Sequence, residues 1–140
     1  MNTNIGAVQD ALKTAIEAQT SVPVSIGYPK GGVAENPNIV WISGEPDIAV
    51  RSYLSDVESR DEVVELGVWV SRTITTASYG TARDACLETV GEVEAALTAD
   101  RDLGGLVSFA AVSRVKLEEA VPAEGSRQVA ATLTVTIESL

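Results

Sequence analysis

The sequence predicts an α+β fold, a largely antiparallel sheet in the order α-β-β-β-α-β-β with two helices packed on one face. Two features of the apolar pattern point there. Apolar residues recur at helical spacing near the start of the chain and again after residue 80, whereas the remaining apolar runs are short, rich in Val and Ile, and alternate with polar residues. The third observation is the core material: of 140 residues 45% are apolar but only 4% aromatic, so one core must be assembled from many small Val, Ala, Leu and Ile side chains. A single domain over residues 1–140 is expected, with an extended arm or long hairpin at about 45–62.

The first helix places Ile5, Val8, Leu12, Ala15 and Ile16 on one stripe, with Gln9, Lys13 and Glu17 turned away and Asn4 in position to cap it. It should end near Thr20, because Val22-Pro23-Val24 brings β-branched residues and a proline that removes a backbone donor. A short edge strand, Val22 to Tyr28, follows. Pro29-Lys30-Gly31-Gly32 and Asn36-Pro37-Asn38 supply turn chemistry at the two ends of a loop.

Asn38 to Glu45 reads as a strand with Ile39 and Trp41 on one face and Val40 and Ile42 on the other, a sign that both faces are covered and that Trp41 is core. From Asp47 to Asp61, Ile48, Val50, Tyr53 and Leu54 stand among charges, too apolar for a plain solvated linker and too long for a simple loop. Glu62 to Ile74 is a strong strand in which Val64, Leu66, Val68 and Val70 alternate with Glu65, Gly67, Trp69 and Ser71.

The second helix is predicted to begin at Thr81, with Asp84 three residues on as a variant of the capping box. Ala82, Cys86, Val90, Val93 and Leu97 form its buried stripe; Asp84, Glu88, Glu92 and Glu94 make its outer face acidic, and Gly104-Gly105 resets the backbone after it. Leu106 to Leu117 and Arg127 to Glu138 read as two further strands joined by a hairpin at Ala120 to Ser126.

Ten basic residues stand against twenty acidic ones, a formal charge of -10. Such a field repels phosphate backbones, so specific nucleic-acid binding is not expected. No apolar run approaches the length of a membrane span and the start lacks the pattern of a signal peptide. One cysteine, Cys86, forms no disulfide within the chain, and synthesis in a reducing cytoplasm fits it.

Catalytic templates find little to work with. The chain has no histidine, which removes Ser-His and Cys-His activation and the commonest transition-metal ligand. Ser113-Arg114-Val115-Lys116 matches S-x-x-K, but that motif needs a helix, and on an alternating strand residues three apart face opposite ways. Cys86 lies on an apolar stripe and reads as a small buried hydrophobe. Asp56, Glu58, Asp61 and Glu62 surround Arg60 without the order of a calcium loop, and read as a solvated face turned to a partner. Lys30-Gly31-Gly32 lacks the order of a phosphate loop. No cofactor or metal site is expected, and binding rather than catalysis is the expected mode of action.

The whole order of elements is familiar: an amphipathic helix, Val22-Pro23-Val24 and a Gly-Pro loop, Asn38-Ile39-Val40-Trp41-Ile42 opening a long excursion, the strand Glu62 to Ile74, the helix from Thr81 and a closing hairpin. It resembles the tail terminator proteins of long-tailed bacteriophages over essentially the whole chain, through element order rather than any signature motif. The resemblance implies a structural virion protein at the head-proximal end of the tail. It would form a ring, hexameric in relatives, that caps the tail-tube protein, stops its polymerisation and offers a surface to the head-tail connector proteins, with DNA passing through.

Within that picture Ile48, Val50, Tyr53, Leu54 and Trp69 are the candidate subunit or partner contacts, an apolar set that gains stability only by burial. Asp56, Glu58, Asp61, Glu62, Glu88 and Glu92 are the candidate acidic lining or partner face. A head-completion or stopper ring protein has the same size, acidity and mixed composition. A small metabolite-binding α+β domain would instead use carboxylates such as Glu65 or Glu118 in a pocket between sheet and helices.

Overall fold

The computed structural model describes residues 4–53, 56–122 and 124–138; within 48–53 and 56–62 it describes the course of the backbone alone. Its elements are α1 (Ile5–Glu17), β1 (Val24–Ile26), α2 (Gly32–Glu35), β2 (Ile39–Ile42), β3 (Asp47–Tyr53), β4 (Asp56–Thr75), α3 (Tyr79–Ala99), β5 (Phe109–Ala120) and β6 (Ser126–Glu138). The architecture is the α+β one the sequence predicts, with α1 and α3 on one face of a mostly antiparallel sheet.

α1 forms where the stripe predicts. Asn4 Oδ1 accepts from the Ala7 N–H at 3.1 Å, satisfying one free donor of the first turn, and Val8, Leu12 and Ile16 are buried. For α3 the cap is Ser78 rather than Thr81: the helix starts two residues earlier, and Thr81 lends its backbone N–H to Ser78 Oγ at 3.4 Å. Asp84 closes no capping box; its carboxylate takes two hydrogen bonds from the Arg83 guanidinium. The buried stripe of α3 is Ala82, Cys86, Val90, Val93 and Leu97, as its spacing predicts, joined by Thr89 and Ala96.

The sheet runs β1-β2-β4-β6-β5, with β3 also on β4. β1 is parallel to β2, and every other pairing is antiparallel. β4 and β6 form the central pair, from Val63↔Glu138 to Thr75↔Ser126. Alternation fixes which face is core: Val64, Leu66, Val68 and Val70 on β4 and Val129, Ala131, Leu133, Val135 and Ile137 on β6 are buried under the helices. A fully buried Leu or Ile contributes about 1.5–3 kcal/mol, so this two-strand seam carries much of the fold.

Several elements differ from the sequence reading: β1 is the three residues Val24–Ile26 rather than Val22 to Tyr28, β2 is Ile39–Ile42 rather than Asn38 to Glu45, and β5 runs on to Ala120 rather than ending at Leu117. The loop after β1 contains the one-turn helix α2, entered through Gly31 and Gly32 at φ of 83° and 65°, where a side chain would be strained. β4 begins at Asp56 rather than Glu62, because the excursion is a hairpin whose second limb continues straight into the strand. β5 begins at Phe109 rather than Leu106, since Leu103, Gly104 and Gly105 all have positive φ and the turn they make runs to Ser108.

Arg72 ties the layers together at one end of the sheet. Its Nε donates to Asn38 Oδ1 at 3.0 Å and its Nη1 to Thr89 Oγ1 at 2.8 Å, linking β4 to the entrance of β2 and to the middle of α3. Cys86 lies buried nearby, and desolvation pushes its thiol up to about 11, with the Arg72 charge acting the other way.

Candidate interaction surface

The helices cover one face of the sheet; the other carries a row of aromatic and small polar side chains. Trp41 on β2 stands directly opposite Trp69 on β4, and Trp69 in turn opposite Thr132 on β6. The two indoles stack with centroids 5.6 Å apart and planes 13° from parallel, and Tyr28 meets Trp41 edge-on at 5.7 Å. Such contacts contribute about 0.5–1.5 kcal/mol beyond the area they bury.

Trp41 is therefore not core. It and Trp69 are half-buried, and Tyr28, 70% exposed, walls an open groove of about 520 Å³ with Gly27, Ser43, Gly44 and Glu45. Trp69 reaches this position because residue 67 has no side chain: a Cβ on Gly67 would lie 2.8 Å from the Trp69 Cη2. Sequence reasoning singled out both tryptophans but passed over Tyr28, two residues beyond β1, because its nearness to Trp41 follows from the pairing of β1 with β2, which the sequence does not announce.

The excursion is a two-stranded ribbon. β3 pairs β4 from Asp47↔Glu65 to Ser52↔Arg60, with an irregularity before Tyr53↔Asp56. Pairing of β4 with β6 begins only at Val63, so the limb from Asp56 to Glu62 has β3 as its described partner. At roughly 3.3 Å per residue it extends about 20 Å. Leu54 lies outside the described residues, as do the side chains of Ile48, Val50, Tyr53, Asp56, Glu58, Asp61 and Glu62.

Of the acids placed on α3, Glu88 is exposed, whereas Glu92 is half-buried and accepts from Thr20 Oγ1 at 3.2 Å, joining α3 to the end of α1. Asp84 and Glu94 share the exposed face with Glu88. Glu65 and Glu118 are both exposed, and neither lines the aromatic groove; Glu118 meets Lys116 at 3.4 Å instead.

β5 departs from simple alternation. Its register on β6 slips between Val112 and Arg114, a bulge at Ser113 that brings Arg114 and Lys116 opposite Thr134 and Thr132, on the face away from the helices. The parity argument against the S-x-x-K match therefore fails here, because the bulge resets it. Both groups are otherwise engaged: Ser113 Oγ donates to the Thr134 carbonyl at 3.2 Å and accepts from Thr136 Oγ1 at 2.9 Å, while Lys116 meets Glu118. Beyond Ala110, whose N–H donates to the Arg101 carbonyl, the outer edge of β5 has no backbone partner among the described residues.

No family model matches the chain and no curated protein matches it. Among solved structures, it is similar to a chain of the virion of a native gene transfer agent (GTA) particle, with a TM-score of 0.49 and 17% identity over 96% of this chain and 97% of that one.

Proposed function

We propose that this chain is a structural protein of a phage-like virion, a tail terminator whose copies form a ring that caps the tail tube, halts its polymerisation and presents a surface to the head connector. The observation that carries the reading is the β3–β4 ribbon. A two-stranded ribbon is at best marginally stable on its own, so the part extending beyond β6 gains stability by lying against another chain. The resemblance in element order to tail terminators supplies the identity of that assembly. The half-buried Trp41–Trp69 pair and the exposed Tyr28 give a second aromatic surface of the kind partners bury.

On this reading the chain acts by binding, and its excess of acids serves to keep DNA moving past it. The acidic face of α3 at Glu88, or the ribbon acids Asp56, Glu58, Asp61 and Glu62, lines the passage. The test is light scattering and negative-stain electron microscopy of the protein alone and mixed with assembled tail tubes. Rings, or a cap at one tube end with growth stopped, are expected. Binding to a portal-adaptor complex in place of tubes would make it a stopper. A monomer indifferent to both, with a melting temperature raised by a small metabolite, would overturn the assembly reading.

A further inference from the structure

Among the described residues β5 and β3 each have a strand on one side only. We propose that the outer edge of β5 takes β3 of a second copy of this chain, antiparallel, so that one sheet continues from subunit to subunit. This rests on the ring reading and names the surface that closes the ring.

β5 is a twelve-residue edge strand, and from Ala111 onward its outer N–H and C=O groups meet no strand among the described residues. Proteins that avoid such pairing shorten the edge strand or charge it against all comers. β1, three residues long, is shortened in that way. β5 is instead long and half-exposed at Val115, and its first nine residues, Phe109 to Leu117, hold Arg114 and Lys116 and no acid, in a chain with twice as many acids as bases. The acids that follow, Glu118 and Glu119, already meet Lys116 and Arg127.

β3 lies on the opposite side of β4 from β6, so like β1 it is an edge strand on the far side of the same sheet from β5. It has seven residues, which fit along Ala111 to Ala120. The ribbon from 47 to 62 carries Asp47, Asp56, Glu58, Asp61 and Glu62 against Arg51 and Arg60. β3 itself carries one acid and one base, Asp47 and Arg51, and the excess of acids stands on the β4 limb beside it, so it is the ribbon as a whole that complements Arg114 and Lys116.

Direction agrees. β5 and β4 are each antiparallel to β6, and β3 is antiparallel to β4. A copy related by a rotation that carries the sheet onward therefore offers β3 running against β5. Two different surfaces meet, so the contact repeats head to tail and closes a ring when the rotation permits. Beside β5 a recess of about 190 Å³, lined by Glu94, Leu97, Thr98, Arg101, Ala111 and Val112, has room for a polar side chain of the added strand.

The test uses the full chain in three forms: an edge variant (Arg114→Glu with Lys116→Glu), a ribbon variant (Asp47→Lys, Asp61→Lys and Glu62→Lys), and all five changes together. Mass is read by light scattering. The expected result is rings from the parent, monomers from each variant alone, and rings again both from their equimolar mixture, where every β5 meets a ribbon of opposite charge, and from the five-fold variant. Rings in the mixture show that both variants are folded and that each altered surface still pairs once its partner carries the opposite charge. Parent rings that either single variant forms equally well would overturn the β5–β3 pairing and leave the ring reading standing. A parent that neither self-associates nor caps tubes would remove the ring reading, and this pairing with it.

Discussion

Arg72 Nη1 donates to Thr89 Oγ1 across 2.8 Å, joining the second half of β4 to a fully buried hydroxyl in the middle of α3. The same guanidinium holds Asn38 Oδ1, which also accepts from the Thr73 N–H. Arg72→Ala leaves the Thr89 hydroxyl without that donor inside the protein and is expected to cost about 1–3 kcal/mol. Thr89→Val removes the hydroxyl in an isosteric change and should cost about 1 kcal/mol. Urea unfolding of the two variants and the double variant measures the coupling. Additive losses would show that the bond contributes nothing.

Gly67→Ala places a methyl group against the Trp69 indole, at 2.8 Å from its Cη2 in the unrelaxed structure. The ring must move and the stack on Trp41 must open. Overpacking of this kind costs about 1–3 kcal/mol. Loss of the coupled-indole signal in near-ultraviolet circular dichroism, with the far-ultraviolet spectrum kept, is the expected outcome; an unchanged signal would mean that the indole is not fixed over Gly67.

The two hydroxyls at the start of α3 are predicted to differ. Ser78→Ala removes the side-chain cap and should lower stability by about 1 kcal/mol, whereas Thr81→Ala, whose backbone N–H is the capped group, should leave it nearly unchanged. Thermal melts of both variants decide the matter, and equal losses would return the cap to Thr81.

Burial raises the Cys86 thiol from 9.0 to about 11. The unfolded chain therefore loses this proton first, and stability falls as pH rises from about 9 to about 11, at most by roughly 1.4 kcal/mol per unit. Below pH 9 the thiol contributes no pH dependence. Cys86→Ala should remove that part of the alkaline slope, and a thiol reagent at pH 8 should label the parent only once denaturant opens it. Rapid labelling of the native protein would contradict the burial.

The sequence made much of this fold legible because two periods separate cleanly in it. Val8, Leu12 and Ile16, and Ala82, Cys86, Val90, Val93 and Leu97, fall on stripes that no strand would produce, and all of them are buried. β6 could be read residue by residue, since Thr132, Thr134 and Thr136 mark one face against Leu133, Val135 and Ile137. Ile39-Val40-Trp41-Ile42 has no such marker. Four apolar residues in a row do not say which face the helices cover, and Trp41 falls on the uncovered one.

Neighbour relations were harder still. Alternation tells a strand which way to face but not whom to sit beside, so the place of β6 between β4 and β5 and the parallel run of β1 were not readable. The bulge at Ser113 has no glycine or proline to announce it, and it turned Arg114 and Lys116 onto a face that simple counting denies them. The single-sign stretch from Phe109 to Leu117 was visible as composition, but its meaning depended on knowing that β5 is an edge.

The position of β6 in the sheet also governs the order in which the chain can fold. β4 has been made long before β6, with all of α3 and β5 between them, so the central ladder must wait while that length of nascent chain is extruded and then close one long loop. Until it does, β5 has neither of its flanks paired and β4 has only β2 and β3. Distant pairings of this kind slow folding, and they leave two apolar strands open to other chains in the meantime. A chain built this way completes its sheet only after its last strand has been made, and until then those two strands stay open to neighbours.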